Sequence, residues 1–425
     1  MLSSIHGPLI VVEGTDPIPI SPLNGEIVKI EPGAKTGRVV RIEGNQAVIE
    51  VFEGTQNMSL EDTEIFFTGR PLQIRLSPEI LGRVFDGLGR PIDGLGPVPG
   101  ELRDINSTPI NPADREYPRS FIQTGISAID GLMTLIRGQK LPIFSGDGLP
   151  HDRIAAQILS QANIEDEPFA VVFGAMGIQH DVADYFRQIL TETSGMDRVV
   201  MFLNTADDPV VERIATPRAA LTAAEYLAYD LGMHVVAILT DMTAYAEALR
   251  EISASKGEIP SRKGYPGYLY SELSGIFERA GIIRGKRGSL TQIPILSMPG
   301  DDITHPIPDL TGFITEGQIV LDRGLHLQGI YPPISILPSL SRLMKDGIGA
   351  DHFNLANRLF ASYAKVGEIR SLSRVIGEDD LSESDLKFLE YGQAFEKRFI
   401  NQRNYDNRTI TETLNLAEEL LDILV

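Results

Sequence analysis

The stretch at 140–159, KLPIFSGDGLPHDRIAAQIL, has the layout of a phosphate-binding loop. An apolar strand, LPIF, runs into glycines, and an amphipathic segment, RIAAQIL, follows. In the working pattern, G-x-x-x-x-G-K-[ST], backbone N–H groups and a lysine hold phosphates and a hydroxyl holds magnesium. Here Ser145 stands at the first glycine, Pro150 at the second, His151 at the lysine and Asp152 at the hydroxyl. Pro150 removes an N–H. His151 is shorter than lysine and largely neutral at pH 7. Asp152 sets an anion where a phosphate and a magnesium ligand should be, at a cost of roughly 4 kcal/mol at ~4 Å and an effective dielectric near 20. Gly146, Asp147, Gly148 and Leu149 complete the loop, and its glycines leave it able to order around a weak anion. The expectation is a degenerate loop kept for its shape, with weak nucleotide binding as the alternative and no catalysis of its own.

The elements around this loop alternate. LPIF, FAVVFGAMG, RVVMFLNTADD, HVVAILTD and QIPILSMPG are short, nearly continuous apolar runs. Helical patterns such as PRAALTAAEYLAYDLG and TAYAEALREISAS separate them. Strands apolar on both faces, alternating with helices, imply a parallel sheet covered on both sides. Ligands in such folds bind at the carboxyl ends of the strands, which here carry 145–152, 174–177, 204–208 and 240–241.

Before this region, short Val- and Ile-rich runs (PLIVVEG, GEIVKI, GRVVRI, NQAVIEVFEG) recur with Gly and Pro between them, the pattern of a small β-barrel. Residues 71–120, rich in Gly and Pro, read as a linker or a tightly turned connection. From about 346 the apolar spacing becomes helical, with Ser382 and Thr409 placed to cap two of the helices. The fold expected is multidomain α and β: a β-barrel over 1–70, a central P-loop (RecA-type) α/β nucleotide-binding fold over 71–345, and a C-terminal helical bundle over 346–425.

The chain has 425 residues, 42% apolar and 23% charged, with a net charge of −20. That acidity argues against nucleic acid as a main partner. With no cysteine, thiol chemistry, disulfides and Cys-based metal sites are excluded, which fits a reducing cytosol. The start, MLSSIHGPLIVVEG, lacks the regions of a signal peptide. No apolar run reaches the ~18 residues that span a bilayer, so any membrane role is expected to be peripheral. The seven histidines show no metal-ligand spacing; His151, His234 and His305 fall in separate motifs and are expected to be structural, with no metal site.

The motifs together carry a resemblance. FIQTGISAIDGLMTLIRGQKLPIFSG, KGYPGYLYSELSGIFERAG, DDITHPIPDLTGFITEGQIVLDR and PPISILPSLSRLMKDGIG, with FSGDGLPH, resemble the non-catalytic B subunit of V-type and A-type rotary ATPases over nearly the whole chain. Two departures stand out. The family usually carries a longer Gly- and charge-rich loop where 348–352 lies here, and its members usually continue beyond Val425.

The resemblance implies a ring alternating with catalytic A subunits, with a central rotor shaft and peripheral stalk subunits as further partners. It implies coupling of ATP hydrolysis or synthesis to proton or sodium transport. The place would be cytoplasmic, reaching the membrane only through the ion-translocating sector. No cofactor of its own is expected; Mg-ATP or Mg-ADP would lie at the interface with the catalytic subunit. Arg342 resembles the arginine finger that acts in trans on a neighbour's ATP, where a planar guanidinium binds two phosphate oxygens, and Ser341 would fix its backbone. The glutamate of the catalytic relatives falls at Ile178, which cannot polarise water. Thr240 falls at the strand-end aspartate; Asp241, one residue on, either serves that role or caps the next helix. Tyr331 stands where relatives stack adenine, or simply packs. Arg262 and Tyr265 stand at the subunit interface or form a plain turn. The acidic GEDDLSESDL is a solvated helix start or a contact with the shaft. Rival readings are a scaffold tethering the peripheral stalk and a self-sufficient hexameric secretion-type ATPase; the latter would need the lysine and glutamate missing at His151 and Ile178.

Overall fold

The computed structural model describes residues 2–14, 22–23, 25–164, 167–192, 195–403 and 405–425. Six strands open the chain: β1 (Leu2–His6), β2 (Leu9–Glu13), β3 (Glu26–Glu31), β4 (Lys35–Glu43), β5 (Gln46–Val51) and β6 (Glu64–Pro71). They form one antiparallel sheet in the order β1-β2-β5-β4-β3-β6. The pairing that would close it into a barrel, β1 with β6, is not among those described. Alternation gives the sheet one apolar face, where Ile10, Val28, Ile30, Val39 and Ile49 are fully buried.

The next segment is not a plain linker. A three-residue strand, β7 (Val84–Asp86), joins the central sheet beside the strand at Val199–Thr205, and Gln73–Leu76 pairs with Glu101–Asp104. The central sheet continues with β8 (Ile143–Gly146), β9 (Phe169–Ile178), β10 (Val199–Thr205), β11 (His234–Thr240), β12 (Ser289–Met298), β13 (Gly317–Leu321) and β14 (Ile334–Ser341). Its order is β14-β13-β8-β12-β11-β9-β10-β7, with a short strand at Gly281–Ile282 against β12. The neighbours run parallel except β14, which is antiparallel to β13 at the edge, and the short Gly281–Ile282 pairing.

Both faces are dry, as the continuous apolar runs require. In β9, Val171, Phe173 and Ala175 enter one core while Ala170, Val172 and Met176 enter the other. The helices covering the sheet include α1 (His151–Gln161), α2 (His180–Glu192), α3 (Val210–Glu225) and α4 (Met242–Ser255). Helix α3 comes very close because its facing residues are small. A Cβ at Gly174 of β9 would stand 3.1 Å from the Ala220 methyl and 2.9 Å from Leu239.

Three helices complete the chain: α5 (Ala350–Ile376), α6 (Glu383–Ala394) and α7 (Ile410–Leu421). Ser382 and Asp385 form a capping box on α6, and Thr409 and Glu412 form one on α7. Leu359, Val366, Tyr391, Phe395 and Phe399 share one core with Ile143 and Ile295 of the sheet, so the helical part packs directly on the central fold.

Candidate functional site

Strand β8 stops at Gly146 and α1 starts at His151, so the loop has the strand–turn–helix frame its sequence suggests. Its polar groups are turned onto one another. Ser145 Oγ lies 3.0 Å from His151 Nδ1, which is also 3.1 Å from the Leu149 carbonyl oxygen. The His151 N–H donates to that same carbonyl at 2.8 Å, and Leu149 N–H to Gly146 O at 3.1 Å. Asp152 Oδ1 sits 3.6 Å from His151 Nε2. Burial raises the Asp152 pKa, and the nearby Asp241 and Asp181 carboxylates push the same way against His151.

A second pair reaches over the loop. Arg323 holds Asp301 through two hydrogen bonds of 2.7 and 2.8 Å and donates to the Asp147 carbonyl at 2.9 Å. A Cβ at Gly146 would stand 2.0 Å from Asp301 Oδ1, so glycine here admits a carboxylate against the backbone. The donor set does not fit a magnesium nucleotide. The lysine is absent, Pro150 carries no N–H, His151 is engaged locally, Asp152 brings an acidic group, and Asp301, paired with Arg323, fills the space over Gly146.

The neighbouring strand ends are equally bare of hydrolytic groups. Ile178 closes β9 with its side chain buried in the core. Asn204, at the end of β10, accepts from Gly177 N–H at 3.1 Å and Arg213 Nε at 2.8 Å. Asp241 is the cap of α4: it accepts from Thr243 N–H at 2.7 Å and Ser297 N–H at 3.2 Å, and from the Ser297 hydroxyl. Thr240 is buried in the strand end. No group of three or more His, Asp or Glu among the described residues is placed to hold a metal ion. His234 is held between Ser289 Oγ at 2.8 Å and Glu167 at 2.6 Å.

Arg342 follows edge strand β14 directly. Its N–H donates to Glu316 O and its Nη1 to Thr315 O, both at 2.9 Å. It is exposed and makes no ion pair among the described residues. Because β14 is antiparallel, Ser341 lies opposite Gly317, the first residue of β13, while Ile319 of β13 pairs with Ile143 of β8. Gly146 is therefore five residues further along the sheet than this level, about 16 Å at the rise of a parallel strand. The loop and Arg342 occupy opposite ends of the sheet. Ser341 is fixed by its hydroxyl, 3.0 Å from Thr134 O and 2.9 Å from Gln139 Nε2.

Tyr331 is half-buried against the core; its hydroxyl donates to Gln157 of α1 at 3.1 Å, and its pKa is raised by burial. Arg262 is exposed, 3.3 Å from Asp309 and 2.9 Å from Thr304 O. Tyr265 departs from the expectation that paired it with Arg262 at an interface. Its ring is 2% exposed, set edge-on to His305 and beneath Arg250, with its hydroxyl on Glu247. It props the Arg262 turn from inside and offers no surface to a neighbour.

The sequence reading missed Asp301 and Arg323 at the loop. Both stand in motifs quoted for the resemblance, but nothing local places a pair 22 residues apart over a turn more than 150 residues upstream. The acidic 377–382 segment is exposed except at the buried Leu381 and leads into the capping box of α6.

A doubly covered parallel sheet, a phosphate-type loop at one strand end and a helical body packed on it define a nucleotide-binding ATPase fold. Residues 125–341 match the ATP synthase alpha/beta family, nucleotide-binding domain, and residues 341–425 the C-terminal domain of V and A type ATP synthase. The chain is 58% identical over 437 residues to the V-type ATP synthase beta chain 2 of Clostridium tetani, covering 100% of this chain and 94% of that one. It is 57% identical over 431 residues to the V-type ATP synthase beta chain of Halothermothrix orenii, covering 100% and 93%. A solved ATP synthase subunit from Nanoarcheaum equitans superposes with a TM-score of 0.78 at 39% identity, covering 98% of this chain and 99% of that one. The chain belongs to the ATP synthase alpha/beta family, among the beta (B-type) chains of the V and A types. No described helix is long and apolar enough to cross a membrane.

Proposed function

We propose that this chain is the non-catalytic B subunit of a V/A-type rotary ATPase. It alternates with catalytic A subunits in a hexameric ring and lends Arg342 to the ATP bound by its neighbour. The observation that carries this reading is the placement of Arg342, exposed and without an acidic partner among the described residues, at the end of the sheet remote from the chain's own loop. A guanidinium so placed is useless to its own loop and well placed for a ligand across a boundary. The loop's filled and anionic state agrees with a subunit that has no hydrolytic site. Mg-ATP or Mg-ADP then belongs to the interface with the A subunit, where Arg342 stabilises charge as the γ-phosphoryl leaves.

In this reading the segments 1–70, 71–345 and 346–425 act as three domains. The first curls into a barrel, since residues from strands at both ends of its sheet, Leu2 and Phe67, pack in one core. The ring stands on the cytoplasmic side, peripheral to the membrane, with the acidic segment near the central shaft and peripheral stalk subunits outside. Ion choice, proton or sodium, rests with other subunits.

The test is steady-state ATP turnover of the reconstituted A/B ring carrying Arg342→Ala, with assembly verified by native mass. Loss of roughly 10³-fold or more in an intact ring is expected. Arg342→Lys should recover little, because a lysine cannot bind two oxygens in a plane. Turnover within threefold of wild type would sink the finger and leave a scaffold role in its place.

A further inference from the structure

Gln139 and Lys140 are buried, at 0% and 3% exposure, although neither belongs to the degenerate loop. Every polar atom of the Gln139 side chain is used. Its Oε1 accepts from Ile136 N–H at 2.9 Å, and its Nε2 donates to Glu316 O at 3.0 Å and to Ser341 Oγ at 2.9 Å. Glu316 O is also the acceptor for the Arg342 N–H, at 2.9 Å. One amide thus grips the residue before Arg342 through its side chain and Arg342 itself through the carbonyl they share.

Lys140 holds the other side of that carbonyl's residue. Its Nζ lies 2.8 Å from Glu316 Oε1 and 2.8 Å from Glu278 Oε1, and its backbone N–H donates to Glu316 Oε2 at 2.9 Å. Arg115 balances Glu278 at 2.7 Å. Glu316 is therefore fixed at both carboxylate oxygens and at its carbonyl. The guanidinium is different, since its one described hydrogen bond is from Nη1 to Thr315 O. The root of Arg342 is locked while its tip can leave a single acceptor.

We propose that Gln139, seated by the Lys140–Glu316 pair, is a positioning residue that sets the direction in which Arg342 leaves the sheet. This rests on the finger role proposed above. Misplacing a catalytic group by about 1 Å can cost 10²-fold in rate, so loss of one strut should be felt in turnover and not in nucleotide binding.

The test uses the intact A/B ring in a double-mutant cycle. Gln139→Leu keeps the volume and removes the strut. The expected result is a kcat about 10- to 100-fold lower, an unchanged KM for ATP and an unchanged ring mass. In the Arg342→Ala background, Gln139→Leu should have no further effect on the residual rate. Should Gln139→Leu fail to assemble, Ser341→Ala opens the same clasp from its other side and should show the same dependence on Arg342. An equal fall of kcat in both backgrounds, or no fall where Arg342→Ala alone is crippling, overturns the positioning role and spares the finger. If Arg342→Ala itself leaves turnover intact, the finger falls and this inference with it.

Discussion

The degenerate loop can be probed by removing one charge. Asp152 lies in the first turn of α1, where the N–H groups and the helix dipole would otherwise favour a bound anion. Its own carboxylate adds a negative charge to that turn. With a phosphate oxygen at ~4 Å and an effective dielectric of about 20, the repulsion is about 4 kcal/mol, or close to three decades in Kd. Asp152→Asn keeps the shape and deletes the charge. Calorimetric titration of the isolated chain with ADP should show binding tightened by up to ~10³-fold at pH 8. The pH dependence follows from the raised pKa of Asp152. As pH falls toward it, the wild-type carboxylate takes up a proton and the repulsion is relieved. The gap between variant and wild type should therefore narrow as pH is lowered, and it should do so because wild type improves. Affinities equal within threefold across the pH series would refute the electrostatic account. Closure would then be steric, through Pro150 and the Asp301–Arg323 pair.

Two further predictions concern stability. Glu212 is buried against Gly87 N–H at 3.1 Å, and burial, with Asp86 and Asp208, pushes its pKa up to about 7 from 4.5. The folded chain keeps this proton where the unfolded chain has lost it, so stability falls as pH rises from about 4.5 to 7, by at most about 3 kcal/mol. Urea midpoints against pH should be flatter for Glu212→Gln, and parallel curves would reject the assignment. Arg279, 2% exposed, makes hydrogen bonds of 2.6 and 2.7 Å to Glu225 and one of 2.8 Å to Thr222 Oγ1. Arg279→Met should cost about 3–5 kcal/mol in urea unfolding by stranding the Glu225 carboxylate, and Glu225→Gln added to it should recover part. A cost below about 1 kcal/mol would mean that water takes over the carboxylate.

What was legible in the sequence was whatever depends on local order. The strand–glycine–helix run at 140–159 located the loop's frame, and its four departures from the working pattern raised the expectation of a loop without chemistry of its own. Period-two and continuous apolar runs located the sheets, and Ser382 and Thr409 marked helix starts that the structure caps as expected. What was hidden depends on contacts between distant residues. β7 is three residues long in a Gly-rich stretch and exists only because β10 offers it an edge. Tyr265 looks like an exposed turn residue until Arg250 and His305, from two other segments, enclose it. Asp301 and Arg323 show no sign of the loop they cover, and a Gln-Lys dipeptide beside a strand gives no hint of the four-charge cluster that buries it. The Arg342 reading came from motif resemblance, and only strand order gives it the physical argument of opposite sheet ends.

The mounting of Arg342 has a mechanical consequence. A side chain on a mobile loop can be advanced or withdrawn by the loop alone, with its protein standing still. Arg342 follows an eight-residue strand and is tied by its N–H to the carbonyl of Glu316, the residue just ahead of β13. Its backbone N–H and the Ser341 hydroxyl are both held. On the finger reading, displacements beyond the reach of its side-chain torsions would be carried by movement of the sheet that holds it. In the finger role proposed above, such a mounting would register the attitude of one subunit against its neighbour. On that reading, a turn of the helical end, which shares a core with the sheet, would be passed on to the guanidinium as displacement.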